Sequence, residues 1–134
     1  MNENMIRYRL ERSREALNDA EYLLKDSRLR AAVNRLYYSM FYAVAALLET
    51  AGYSSSKHSG VRAMFNQHFI KTGIVSEDAG DLYGILYTNR HKGDYVDFTE
   101  FTPEKVNNFL EKARKHVQEI QEIVQKKIAT DKQG

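Results

Sequence analysis

The chain has 134 residues, 20 basic and 18 acidic side chains, a net charge of +2 and no cysteine. That length points to one domain able to bury a core without covalent staples, and the missing cysteine excludes disulfides and thiolate metal sites. No apolar run nears the ~18 residues a membrane span requires, and the Met1–Met5 segment shows no apolar leader region, so a cytoplasmic protein without membrane association is expected.

A single proline and long runs of 3.6-residue periodicity predict an all-α domain. The first helix is expected over about 4–25, with Ile6, Leu10, Leu17, Ala20 and Leu24 on one face and Ser13 within the apolar seam. Arg7/Glu11 and Glu21/Lys25 have the spacing of ion pairs one turn apart. Asp26 and Ser27 end it. The second helix, about 29–50, is apolar nearly all round, which marks a central element with neighbours on several sides. Its polar stripe is Asn34, Arg35, Tyr38, Ser39 and Tyr42, with Arg35 sharing a face with Tyr38 and Ser39. Arg28, Arg30 and Arg35 lie close together with no acid among them and read as a solvated face. Gly52 is placed to cap this helix.

The third helix follows the serines 54–56, with Val61, Phe65, His68 and Phe69 inward, and Gly73 ends it. The fourth starts at Ser76, with Glu77 and Asp78 in its first turn, and Ala79, Leu82, Tyr83, Ile85 and Leu86 carry it to Arg90, with Gly93 marking the break into a loop. The last helix opens with Thr102 as N-cap and Pro103 at the first helical position. Val106, Leu110, Ala113, Val117, Ile120 and Val124 form a heptad-like seam, the mark of a long helix packed lengthwise in a bundle. Its polar tail from about residue 128 is expected to fray. The whole chain, 1–134, reads as one antiparallel up-and-down bundle of about five helices, with 92–101 as the only long connection.

The residues best suited to chemistry lie in the stretch Asn89–Tyr95. Arg90 offers a planar fork for phosphate. His91 titrates near neutrality and could move a proton. Asp94 could orient either, and Tyr95 could stack on a base. The alternative is that Arg90 and His91 only satisfy the last carbonyls of the fourth helix. His58 and His68 lack metal-site spacing, His116 reads as a surface residue, and no glycine loop suits a nucleotide. Ser59 next to His58 is no catalytic pair, because helix neighbours point about 100° apart. No metal and no cofactor are expected.

Four blocks then stand out in order: Arg30-Ala-Ala-Val-Asn-Arg35-Leu-Tyr37-Tyr38-Ser-Met-Phe41-Tyr-Ala, Lys57-His58-Ser59-Gly60-Val61, Lys71-Thr72-Gly73, and Arg90 followed after three residues by Asp94-Tyr95. Together they resemble the small prokaryotic HEPN proteins over about residues 5–125. The resemblance implies an antiparallel helical bundle, a homodimer, and pairing with a minimal nucleotidyltransferase in a toxin–antitoxin-like module. Many such proteins are metal-independent ribonucleases that use an Arg, a polar residue, three further residues and a His. Here the terminal position is Tyr95, and a tyrosine with a pKa near 10 is a poor general base. Nucleotide or RNA binding is therefore expected, with Arg90, Asp94, Tyr95, Arg35 and Tyr38 as ligand-binding residues. The alternatives are a ribonuclease using His91 with Arg90, and a purely structural interaction subunit.

Overall fold

A computed structural model describes residues 1–95 and 100–133, with side chains for all of these except 91–95 and 133. Five α-helices follow one another: α1 Glu3–Lys25, α2 Leu29–Thr50, α3 His58–Phe65, α4 Glu77–Tyr95 and α5 Pro103–Gln133, with a π-helical turn at Asn66–Ile70 continuing α3. The described residues contain no strand.

The helix boundaries follow local chemistry. Asn2 caps α1 by accepting from Met5 N–H at 3.1 Å. Ser27 turns the chain with φ 58°. Behind α2, Gly52 takes φ 78°, Gly52 N–H donates to Glu49 O, and Tyr53 N–H donates to Leu48 O. These are the paired bonds of a Schellman cap, which glycine adopts without a Cβ penalty. Thr102 Oγ1 accepts from Lys105 N–H at 3.1 Å, as its N-cap position demands.

The ion pairs give the helix directions. Arg9 meets Glu49, and Asp19 meets Arg35, so α1 and α2 are antiparallel. Lys132 meets Glu3, and Arg114 meets Glu21, so α5 also runs against α1. α2 contacts α1, α3, α4 and α5, and Leu36, Tyr37, Met40, Val44 and Leu47 are fully buried along it. The central helix of the bundle is thus the one with apolar residues on nearly every side.

Several local readings change. Arg7 pairs with Glu3 rather than Glu11, while Glu21 does meet Lys25 at 3.6 Å. Ser39 is buried, not part of the polar stripe: its hydroxyl donates to Leu36 O, and its carbonyl accepts from the buried Ser13 hydroxyl at 2.6 Å. Ile85 is exposed. α4 does not stop at Arg90 but continues to Tyr95. α5 is helical to Gln133, with Ile128 buried and Lys132 tied to Glu3.

His116 is buried, not on the surface. Its Nδ1 lies 3.0 Å from Glu119 Oε1. Glu119 also accepts from the N–H and the hydroxyl of Ser76, at 2.8 and 2.9 Å, and Ser76 Oγ in turn accepts from Ala79 N–H. One carboxylate thereby fastens the start of α4 to α5. Partial burial alone would raise the Glu119 carboxyl. The bonds from Ser76 and His116 outweigh it and hold the group below the usual carboxylate range. A depressed carboxylate contributes stability that is present above its ordinary pKa and lost as pH falls through its lowered value. Glu119→Gln is expected to destabilise the fold by about 1–2 kcal/mol at pH 7 and to flatten the acid limb, as read from thermal melts between pH 7 and 3.

Candidate functional site

Arg90 lies more than one turn inside α4, which ends at Tyr95, so it does not cap the helix end. Its guanidinium carbon stands 4.5 Å from the centroid of the Tyr37 ring and 6.0 Å from that of Tyr38. Its NH1 donates to Tyr38 Oη at 3.4 Å. No carboxylate among the described residues approaches the guanidinium within ion-pair distance, and Arg90 Nε is buried without a hydrogen-bond partner. A cation on a tyrosine face gains about 0.5–2 kcal/mol; a buried N–H left unpaired costs about 1–3 kcal/mol. The balance leaves the guanidinium oriented but undersatisfied, a state an anionic ligand would relieve.

Adjacent residues of α2 supply the platform. Tyr37 is fully buried and Tyr38 half-buried, and their rings meet edge to face at 5.1 Å. Arg35, one turn before Tyr38, lies over that ring at 5.4 Å and reaches Asp19 at 3.8 Å. Its Nε is buried and, at that distance from Asp19, makes an ion pair but no hydrogen bond. The fold therefore brings Arg35, Tyr38 and Arg90 together from two helices. The side chains of His91, Asp94 and Tyr95 lie outside the described residues.

The residue that sequence reasoning missed is His58, the first residue of α3. It is half-buried, stacks on Phe41 at 4.4 Å, and places Nδ1 2.7 Å from Tyr37 Oη. Burial lowers its pKa and the nearby Arg90 charge lowers it further. Burial pushes the Tyr37 phenol up to about 12. At neutral pH the pair is thus a neutral imidazole against a protonated phenol. Nothing in the spacing between positions 37, 58 and 90 reveals this cluster. The only available signal is that all three residues fall inside the blocks that carry the family resemblance.

The cluster can hold a phosphate on Arg90, set Tyr38 beside it for stacking, and accept a proton at His58. The HEPN domain model matches residues 6–125, which includes all of these groups. The chain belongs to the HEPN family. A UPF0332 protein of Thermotoga maritima is 45% identical over 92% of this chain and 93% of its own length. A protein of Methanocaldococcus jannaschii whose name describes a candidate toxin is 36% identical over 77% of this chain and 70% of its own. A UPF0332 protein of Pyrococcus horikoshii is 46% identical over 46% of this chain and 43% of its own. No described helix of this HEPN chain is long and apolar enough to cross a membrane.

The lowered His58 pKa has a consequence with a definite sign. Above the ordinary histidine value of about 6.5 the ring is neutral. As pH falls through its lowered value it gains a charge beside Arg90. Anion binding at this HEPN site is expected to strengthen as pH falls through that lowered value, while the folded state becomes less stable relative to the unfolded chain, whose histidine protonates first. His58→Ala should remove this part of the pH dependence in titrations with inorganic phosphate.

Proposed function

We propose that this HEPN protein binds single-stranded RNA or a nucleotide at the cluster of Arg90, Arg35, Tyr38 and His58, as a homodimer and as the partner of a minimal nucleotidyltransferase in a toxin–antitoxin-like module. The observation that carries the binding reading is the Arg90 guanidinium, fixed on the Tyr37 ring with its Nε buried and unpaired. Tyrosine faces beside arginines suit single strands because every base has a face to stack. The pairing with a nucleotidyltransferase rests on the family resemblance, and the toxin-like setting on the name of the Methanocaldococcus jannaschii relative. Fluorescence anisotropy with labelled single-stranded RNA tests the binding. Dissociation constants in the micromolar range are expected, falling off as salt rises. RNA that stays free at ~100 µM protein would refute it.

A second reading is favoured by the position of His58. In the tautomer whose Nδ1–H donates to Tyr37, Nε2 keeps a lone pair. It could take the proton of a ribose 2′-hydroxyl as that oxygen attacks the adjacent phosphorus and the 5′-oxygen leaves. Incubation of the protein with RNA in EDTA separates the readings: 2′,3′-cyclic phosphate ends that disappear in His58→Ala would support cleavage, and intact RNA would leave binding alone.

A further inference from the structure

A second arginine repeats the arrangement of Arg90. Arg62 of α3 lies over the Tyr87 ring at 5.2 Å, and its Nε is buried and unpaired. It has no carboxylate partner within ion-pair distance among the described residues. Gly84 makes room for it: a Cβ there would stand 2.7 Å from Arg62 NH2, so a glycine on α4 lets the guanidinium approach that helix this closely. The Tyr87 ring meets Tyr37 at 6.1 Å, and Tyr37 carries Arg90. Two arginines thus sit on two touching tyrosines.

Arg62 also opens onto space. It lines a recess bordered by Ser59, Asn66 and Tyr87. The recess shares Arg62 and Asn66 with a groove of about 780 Å³ between α3 and α4, whose far wall holds Asp81 and Asn89. That volume is in the range of a small-ligand site. The Asn89 side-chain amide donates to Ile85 O, which leaves its oxygen as an acceptor. The groove therefore offers a cation against Gly84, with the acceptors Asp81 and Asn89 to either side of it along α4.

Resting on the RNA-binding reading, we infer that this groove takes the nucleotide next to the phosphate held by Arg90. Arg62 binds that nucleotide's phosphate, and the two oxygens of the Asp81 carboxylate accept from the N–H edge of its base. A base with adjacent imino and amino donors, guanine, fits this wall; uracil offers a single imino donor. A planar fork on an anion is worth more than a point charge, so lysine is a poor substitute.

The test is a ladder of labelled RNAs, a dinucleotide of uridine and the same dinucleotide extended by one guanosine or one uridine at either end. Wild-type protein is expected to gain about tenfold in affinity from guanosine at one of the two ends, and less from uridine. Arg62→Gln and Gly84→Ala, the second of which keeps the arginine but displaces it, should both lose that gain and keep dinucleotide affinity. Circular dichroism confirms that each is folded, and either folded variant suffices. Arg90→Ala should weaken every RNA in the ladder. If the folded variants keep the guanosine gain, or lose dinucleotide affinity to the same degree, the second subsite is wrong while RNA binding stands. If wild type binds none of the ladder, the RNA reading itself fails.

Discussion

Arg90→Ala is expected to weaken single-stranded RNA binding about ten- to a hundredfold, the effect of losing one or two charge-assisted hydrogen bonds to phosphate. Its melting temperature should change little. The cation loses its contact with Tyr37, but a buried unpaired N–H disappears with it, and the two terms are similar in size and opposite in sign. Arg90→Lys should recover only part of the affinity, since an ammonium cannot present the planar fork. Affinity measured by anisotropy alongside a thermal melt separates this outcome from a general loss of structure. A large fall in melting temperature with unchanged affinity would make Arg90 a packing residue.

The largest effect on stability should come from the centre of α2. Leu36 is fully buried, and the same helix contacts every other α-helix of the bundle. Leu36→Ala removes buried methylenes and leaves a cavity that rigid helices on several sides cannot close. A loss of about 2–5 kcal/mol is expected, a large part of the ~5–15 kcal/mol available to a domain. Urea denaturation should show a lower midpoint with an unchanged slope. Because Leu36 is followed directly by Tyr37 and Tyr38, the same variant should also loosen the site, and RNA affinity should fall with stability. A loss below 1 kcal/mol would mean that α2 is not the centre of the core.

Most of the fold could be read from the chain because its helix ends carry explicit chemistry. Thr102-Pro103, Ser76 and Gly52 each satisfy backbone groups in a way few other residues can, and each stands where that logic places it. Gly93 reads as a stop because it interrupts an apolar helical pattern, yet a single glycine costs a helix only about 1 kcal/mol. The end of α5 is polar in its own sequence, and its partner is the first turn of α1, more than a hundred residues away in sequence. Ser39 is met by Ser13 of α1, and His116 by Glu119 on its own helix, a carboxylate held in turn by Ser76 at the start of α4. The site divides in the same way. Arg90, Arg35 and Tyr38 could be nominated from residue chemistry and spacing. His58 and Arg62 acquire meaning only when α3 is laid against α2 and α4, so that an imidazole meets Tyr37 and a guanidinium meets Tyr87.

In the proposed function, nucleic acid phosphate binds at the arginines seated on tyrosines. Titrating a short single-stranded RNA into isotope-labelled protein, while following the arginine Nε–H and histidine ring signals by nuclear magnetic resonance, tests it directly. Saturable shifts at Arg90, Arg35 and His58, with those of the α5 residue Arg114 unmoved, are the predicted result. Saturable shifts at Arg114 with Arg90 and His58 unmoved would contradict it.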